Sequence, residues 1–190
     1  LGIAPGTRVV LFAGKLIPAK QPRELLQAYL AAQVPSTALV FVGEGEEKAA
    51  LVDVARSAPA GIVHFLPFAN QSEMPARYLL ADIFALPSRG LYETWGLAVN
   101  EAMHMGVPAL VSDRVGCQRD LVSPGETGWV FPAESPGALA AVLAKALEEV
   151  RVDRETYRAC VAARISRYSY RAASEGLLSA IEHARSPAAR

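Results

Sequence analysis

The segment PSRGLYETWGLAVNEAMHMGVP, residues 87–108, decides the fold of this chain. It lies between two short apolar runs, residues 83–86 and 109–111, and a polar, glycine-containing loop in it leads into a pattern typical of a short helix. That order predicts a strand, a loop that presents backbone N–H groups, and a helix N-terminus, an arrangement with which α/β sheets hold phosphorylated ligands. Two carboxylates, Glu93 and Glu101, stand around the predicted start of the helix.

The alternation of strand and helix continues in both directions from this segment. Apolar runs that do not alternate predict strands covered on both faces, at residues 8–13, 38–42, 62–66, 83–86, 109–111 and 129–131, the last at a sheet edge. Helical spacing predicts helices at residues 23–32, 46–58, 71–80, 97–105, 137–150, 154–168 and 170–184, with Ser72 as the N-cap of the third. We therefore predict an α/β fold: a doubly wound, Rossmann-like parallel sheet of about six strands with helices on both faces, plus C-terminal helices.

The domain organisation follows from the same pattern. We expect one domain over residues 1–190, with the sheet core at 7–132 and the C-terminal helices at 135–185, and a loose tail at 186–190. The chain begins without an initiator Met, and Pro-Gly before the first strand is typical of a linker. This favours a domain cut from a longer protein, although a processed N-terminus would look the same.

Composition excludes several classes of protein. Apolar residues make up 52% and charged residues 20% of the 190 residues, as in globular proteins. Lys plus Arg and Asp plus Glu both number 19, which argues against a nucleic-acid partner bound by bulk charge. The two cysteines are far apart, no signal peptide is visible, and no apolar run reaches the roughly 20 residues of a membrane span. A cytoplasmic location is expected.

The familiar nucleotide and metal motifs are missing from the sequence. The loop after the first strand lacks Gly-x-Gly-x-x-Gly, and Gly43-Glu44-Gly45 supplies only two glycines after the second strand. There is no P-loop and no Gly-x-Ser-x-Gly elbow, and the three histidines show no metal-binding spacing. These absences argue against a dehydrogenase, an NTPase, a zinc enzyme and an esterase. We expect neither a metal nor a cofactor.

What remains is a phosphate site made of lysines and backbone amides. Lys15 and Lys20 flank the loop after the first strand, and right-handed crossovers bring all strand-following loops to one sheet edge. The N–H groups of Gly96 and Leu97 would face an anion at the helix start, where the helix field also favours one. Glu101, one turn into the helix, could accept two hydroxyl hydrogen bonds, as from a ribose. Glu93 would stand near the reactive end of such a ligand.

Plainer interpretations of each residue stay open at this point. Lys15 and Lys20 could be surface lysines and Glu101 a solvated carboxylate. Gly96 could be an ordinary helix-start residue, and His64 a packed or edge histidine. Gly43–Gly45 could be a simple strand-to-helix turn. The prediction depends on all of these residues meeting at one edge of the sheet.

At these residues the sequence resembles the C-terminal, nucleotide-sugar-binding domain of GT-B glycosyltransferases of the retaining family 4 type, also called glycosyl transferases group 1. The resemblance covers nearly the whole chain. Its pattern consists of Pro87-Ser88, Glu93, Glu101-Ala102-Met103, Gly106-Val107-Pro108 and Ser112-Asp113. Supporting stretches are Gly14-Lys15-Leu16 with Lys20, Val42-Gly43-Glu44-Gly45 and Gly125–Pro132.

The resemblance implies a role for each matching residue. Lys15 and Lys20, beside Gly14, would neutralise the donor diphosphate, together with the amides of Gly96 and Leu97. Glu101 would hold the ribose, and Glu93, next to Thr94, would contact the transferred sugar. Gly43 and the strand end at His64, Phe65 and Leu66 would border the base. Glu93, Lys20 and Lys15 would then be the catalytic residues of this half of the enzyme.

Three departures from the family pattern affect the sugar end of this site. Lys15 replaces the usual Arg and so loses bidentate phosphate geometry. The loop between Ser88 and Glu93 is a residue or two longer than usual, and Gly116-Cys117-Gln118-Arg119-Asp120 replaces the more common Gly-Gly-x-x-Glu.

The resemblance also implies the rest of the protein. The partner of this domain would be an N-terminal acceptor-binding domain that this chain lacks, and peripheral membrane association through that half stays open. The isolated domain would bind a nucleotide sugar but transfer nothing. A nucleotide-sugar epimerase on the same scaffold, or a non-catalytic nucleotide-binding module, are the alternatives. Base, sugar and acceptor are not determined by the sequence.

Overall fold

A computed structural model describes residues 1–90, 92–135 and 137–185. Its strands are β1 (Arg8–Ala13), β2 (Thr37–Val42), β3 (Val63–Leu66), β4 (Ile83–Leu86), β5 (Ala109–Ser112) and β6 (Gly128–Phe131). Its helices are α1 (Pro22–Ala32), α2 (Lys48–Ala55), α3 (Met74–Tyr78), α4 (Leu97–His104), α5 (Gln118–Leu121), α6 (Ala138–Ile165) and α7 (Tyr170–Arg185). A single 3₁₀ turn, Pro18–Lys20, precedes α1.

The six strands form one parallel sheet in the order β3-β2-β1-β4-β5-β6. The order runs outward from β1 in one direction and from β4 in the other, so the direction of winding reverses between these two central strands. This confirms the predicted doubly wound sheet, with β6 at one edge. A crevice opens at such a reversal, beyond the carboxyl ends of the strands, because the loops of the two strands leave toward opposite faces.

Helices cover both faces of the sheet, because the strands carry apolar side chains on both sides. On one face α1 and the first half of α6 bury a core around Phe12, Phe41 and Leu143. On the other face α3, α4 and the end of α6 bury a core around Phe84 and Met103. The fully buried strands match the unbroken apolar runs of the sequence.

Helix α6 passes from one face to the other along the edge where the strands begin. Its residues up to Tyr157 pack in the first core, while Val161 and Ile165 pack in the second. Arg154 forms an ion pair of 2.9 Å with Asp82, the residue just before β4. The helix bends at Asp153, which has non-helical dihedral angles (φ −143°, ψ 59°). This break falls between the two helices predicted at 137–150 and 154–168, so the prediction of two helical segments is confirmed, and the second segment ends at Ile165.

Other predicted boundaries need correction. Ser72 is not an N-cap, since α3 begins only at Met74. The N-cap position is held by Glu73, and the turn before the helix is closed by two reciprocal bonds: Oδ1 of Asn70 accepts from the N–H of Glu73, and Oε2 of Glu73 accepts from the N–H of Asn70. Helix α2 is shorter than predicted, and α5 was not predicted. The predicted tail at 186–190 lies outside the described residues.

Helix α7 lies apart from both cores. Its residues are exposed except for the half-buried Ala172, and Leu177, Leu178 and Ile181 are exposed by 63%, 60% and 46%, although they lie on one apolar stripe. Among the helices that the structure describes, none is long and apolar enough to cross a membrane.

Candidate functional site

The crevice between β1 and β4 brings together residues that are far apart in sequence. Lys20 ends the 3₁₀ turn after β1, and Glu93 lies in the loop after β4. The Nζ atom of Lys20 lies 2.8 Å from Oε2 of Glu93. A backbone hydrogen bond from the N–H of Arg89 to the carbonyl of Ala19, 2.9 Å long, holds the two loops together. The sheet thus builds a charged pair at the point where its winding reverses.

Two buried serines also fix the Glu93 carboxylate, one by a direct hydrogen bond and one through the backbone. Ser88, fully buried just after β4, donates from Oγ to Oε2 of Glu93 over 3.2 Å. Ser112, buried at the end of β5, donates in turn to the carbonyl of Ser88. The side chain of Glu93 is 17% exposed, so the carboxylate combines a fixed orientation with access to the crevice.

The loop after β5 fixes the backbone around Glu93. The N–H of Gly116 donates to the carbonyl of Glu93 over 2.9 Å, and the N–H of Cys117 donates to the carbonyl of Trp95 over 2.7 Å. A Cβ on Gly116 would lie only 1.9 Å from the carbonyl oxygen of Thr94, so only glycine allows this contact. The unusual Gly116-Cys117 sequence therefore supports the site structurally.

Cys117 itself is not suited to chemistry. Its side chain is fully buried behind Gly96, and burial raises the pKa of the thiol to about 12. A thiol in such surroundings stays protonated and unreactive at neutral pH.

Glu101 occupies a second position at the crevice, one turn into α4. Its Oε2 accepts a hydrogen bond of 2.7 Å from the hydroxyl of Tyr78, the last residue of α3. Burial of the ring raises the pKa of Tyr78, and the hydrogen bond to the Glu101 carboxylate raises it further. The phenol therefore stays protonated and donates a hydrogen bond to Glu101 throughout the physiological pH range.

Helix α4 begins at this site. Gly96 is its N-cap and has a left-handed conformation (φ 101°) that directs the chain from the Glu93 loop into the helix. The first residues, Leu97 and Ala98, have no intrahelical partner for their N–H groups, as in every helix. Ala98 lines the crevice. The start of α4 therefore contributes positive dipole character to the crevice.

Two adjoining compartments make up the crevice, and both are lined by Lys15 and Lys20. The first has a volume of about 740 Å³ and includes Gly14, Gly43 and Glu101 in its lining. The second has a volume of about 580 Å³ and includes Ser88, Tyr92 and Glu93. Volumes of this size suit a small organic ligand. The lysines stand at the junction, with Glu101 and Glu44 lining the first compartment and Glu93 and Glu46 lining the second.

Some residues predicted for the site lie elsewhere. His64 bonds through Nε2 to the carbonyl of Gly61, and the ring of Phe65 stacks on Phe41 in the core at 5.3 Å. Leu66 contributes its carbonyl, which accepts from the N–H of Gly43 over 3.3 Å. The side chains of Thr94 and Leu97 are exposed and do not line either compartment.

The crevice is also lined by residues that were not predicted from the sequence. Phe68, Ala69, Met74 and Tyr78 line the larger compartment, and Phe68 is 72% exposed. A sequence signal existed for Phe68, because it follows a predicted strand within the set of loops expected at this edge. Tyr78 had no such signal, since it lies in the middle of a helical pattern.

Within residues 1–90, 92–135 and 137–185, no group of three or more His, Cys, Asp and Glu side chains is placed to hold a metal ion. The positive charges of the crevice come from Lys15, Lys20 and the helix start.

Comparison with known proteins identifies the family. The family model for glycosyl transferases group 1 matches residues 1–164. D-inositol 3-phosphate glycosyltransferase of Jonesia denitrificans is 31% identical over 195 residues, which cover 97% of this chain and 45% of that protein. The GDP-mannose-dependent alpha-(1-6)-phosphatidylinositol monomannoside mannosyltransferase of Mycolicibacterium smegmatis is 32% identical over 153 residues, which cover 75% of this chain and 39% of that protein. The chain thus spans less than half the length of these relatives.

A solved structure shares the fold. The pneumococcal O-GlcNAc transferase GtfA, in complex with UDP and GlcNAc, superposes with a TM-score of 0.78 at 20% identity, over 92% of this chain and 35% of that one. The resemblance expected from residues 87–108 is confirmed by the family match. This chain belongs to the glycosyl transferases group 1 family.

Proposed function

We propose that this chain is the donor-binding half of a retaining glycosyltransferase that takes its sugar from a nucleoside diphosphate sugar. The observation that carries the proposal is the placement of Lys15 and Lys20 between two compartments, one containing Glu101 and the other Glu93. A nucleoside diphosphate sugar has the same order of parts: ribose, diphosphate, sugar. Family membership supports the class of reaction.

The diphosphate would lie at the junction of the compartments. Lys15 is exposed and Lys20 half-buried there, and the start of α4 adds unpaired N–H groups. Two ammonium groups and a helix N-terminus would counter the negative charge on the four non-bridging oxygens of the diphosphate, and we expect no metal ion there.

The nucleoside would occupy the larger compartment. Glu101 would accept from the two ribose hydroxyls, since an ionised carboxylate has about four acceptor positions and Tyr78 uses only one. Gly43 and Gly14 line this compartment and pack closely on each other, because a Cβ on Gly43 would lie 2.0 Å from the carbonyl oxygen of Gly14. Phe68 offers an exposed aromatic ring at the base end.

The sugar would occupy the smaller compartment beside Glu93. In the transfer step, the bond between the anomeric carbon and the diphosphate oxygen breaks. An acceptor hydroxyl oxygen bonds to the same carbon on the same face, and its proton passes to the departing phosphate oxygen. Negative charge grows on the diphosphate as the bond breaks, and Lys15, Lys20 and the α4 amides stabilise that charge.

The remaining expectations for the whole protein belong to the same proposal. An N-terminal half would supply the acceptor site, which the greater length of the relatives supports. A cytoplasmic location is supported by Cys117 and Cys160, both of which are free thiols.

Isothermal titration calorimetry with UDP and GDP tests the donor site. We expect one of them to bind, and Lys20→Met and Glu101→Ala each to weaken binding by about tenfold or more. Lys145→Met and Glu155→Ala, two changes at exposed positions of α6, should leave the affinity unchanged. If the folded chain binds neither nucleotide at millimolar concentration, the proposed function is wrong.

A further inference from the structure

Tyr78 joins the buried core to the crevice. It is 2% exposed, and its ring packs edge-on against Phe84 of β4, with centroids 5.6 Å apart and planes at 76°. Its hydroxyl nevertheless reaches the larger compartment and donates to Glu101. The ring is fixed by the sheet, so the position of the hydroxyl is fixed too.

Glu101 by itself is a flexible group. It is exposed on α4, and a Glu side chain has three rotatable bonds that must be fixed before its carboxylate can accept two hydroxyls at once. Among the described residues, the Tyr78 hydroxyl is the one hydrogen-bond partner of this carboxylate. That bond uses Oε2 and leaves Oε1 and one further lone pair on Oε2 for a ligand.

We infer that Tyr78 is a positioning residue that orients the Glu101 carboxylate for a ribose diol and so makes the site selective for ribonucleotides over deoxynucleotides. This inference rests on the proposed function. It gives the hydroxyl of Tyr78 a purpose that packing does not, because a phenylalanine would fill the same place in the core.

A second buried tyrosine shows what a purely structural hydroxyl looks like. Tyr29 lies on α1 and is 5% exposed. Its hydroxyl oxygen is 3.1 Å from Oγ1 of Thr37, the first residue of β2, and the two groups share a hydrogen bond. Thr37 is at the edge where the strands begin, and the crevice is at the opposite edge, where the strands end. Tyr29→Phe is therefore a matched control: it removes the same atom from an equally buried tyrosine.

The experiment compares nucleotides that differ only in their hydroxyls. Calorimetry of the unaltered chain is carried out with UDP, GDP and their 2′,3′-dideoxy forms, and the better-binding pair is then titrated into Tyr78→Phe and Tyr29→Phe. We expect Tyr78→Phe to bind the ribonucleotide about fivefold more weakly and the dideoxy form as before. Tyr29→Phe should bind both as the unaltered chain does. Thermal unfolding of each variant separates these effects from a loss of folded protein.

A double-mutant cycle provides a second readout. In a Glu101→Ala background, Tyr78→Phe should have no further effect on the ratio of ribonucleotide to dideoxynucleotide affinity, because the group that it orients is gone.

Three other results of these titrations would contradict the positioning role, the ribose role or the proposed function, respectively. Equal weakening of both nucleotides by Tyr78→Phe, or no change in either, would overturn the positioning role while leaving the donor site intact. An unaltered chain that binds ribonucleotide and dideoxynucleotide equally would overturn the ribose role of Glu101 and with it this inference. An unaltered chain that binds no nucleotide would overturn the proposed function itself.

Discussion

Lys20 and Glu93, which stand 73 positions apart in the sequence, form an ion pair of 2.8 Å across the crevice. One of the two lysines proposed to bind the diphosphate, Lys20, therefore already has a carboxylate partner. A diphosphate that binds there must share Lys20 with a carboxylate of its own charge sign.

The first prediction follows from this pair. Glu93→Gln removes a negative charge beside the phosphate position and frees Lys20, so we expect UDP or GDP to bind about threefold to tenfold more tightly. Sugar transfer by the complete protein should fall, because the proposed contact to the sugar is weakened. Calorimetry measures the first effect and a transfer assay the second.

Glu134→Gln is the control for this prediction. Glu134 pairs with Arg89 at a surface position, is 55% exposed, and should be neutral for binding. Weaker nucleotide binding by Glu93→Gln would show that Glu93 supports the nucleotide rather than competing with it.

The second prediction concerns Gly116. Its Cβ in Gly116→Ala would collide with the carbonyl of Thr94 and push the Glu93 loop outward. We expect a loss of about 2 kcal/mol in the free energy of unfolding and a fall of about 5 °C in Tm. Nucleotide binding should weaken as well, measured by calorimetry below the Tm.

Gly176→Ala is the same substitution in an exposed helix, α7, with open space around the added carbon. We expect it to leave Tm unchanged or to raise it slightly, since alanine favours helix. A Gly116→Ala variant that matched Gly176→Ala in Tm and in binding would contradict the tight contact.

The third prediction concerns Asp82, whose side chain is 8% exposed. Its Oδ2 accepts from the N–H of Val9 over 2.8 Å, and its Oδ1 pairs with Arg154. Asp82→Ala leaves a buried donor unsatisfied and frees the bend of α6, so we expect a loss of about 3 kcal/mol in urea unfolding. Asp53→Ala breaks an exposed pair with Arg56 and should cost about 0.5 kcal/mol or less. Similar losses in the two variants would rule out the structural role of Asp82.

The fourth prediction is a pH dependence. Burial by itself would raise the pKa of Glu149, but hydrogen bonds from Trp129 and Tyr157, each 2.7 Å long, and the nearby Lys145 lower it overall. A carboxyl with a lowered pKa in the folded state stabilises the fold above its unfolded value of 4.5, and that stability is lost as the pH falls through the folded value.

The difference in Tm between the unaltered chain and Glu149→Gln should therefore be constant from about pH 7 to pH 5 and shrink below pH 4.5. Thermal scans at a series of pH values measure it. Glu155→Gln, a change at an exposed position of α6, is the control. A difference that grows on acidification would contradict the direction of the shift.

The sequence was sufficient to predict the scaffold because its signals are local. The unbroken apolar runs in β2 and β4 and the glycines that follow β1 and β2 indicate buried parallel strands and sharp turns without reference to distant residues. The meeting of Lys20 with Glu93 required one further step, the shared edge of the strand-following loops. That the two form a pair depends on β1 and β4 being neighbours, which spacing alone does not show.

The lining of the crevice next to β3 was harder to predict. Side chains alternate along a strand, so His64, Phe65 and Leu66 cannot all face a ligand at the strand end. Phe65 is directed into the core against Phe41, and the crevice is reached instead by Phe68 beyond the strand. The contact between Tyr78 and Glu101 joins two helices through their side chains and leaves no periodic signal in the sequence.

Helix α6 makes the two rims of the sheet, where the strands begin and where they end, different in structure. Arg8 donates to the carbonyl of Leu147, and Asp82 pairs with Arg154, so the helix is fastened along the rim where the strands begin. The opposite rim has no such strap among the described residues and consists of loops around the crevice. Exposed side chains of the crevice loops can therefore change without loosening the contacts that hold α6 to the sheet.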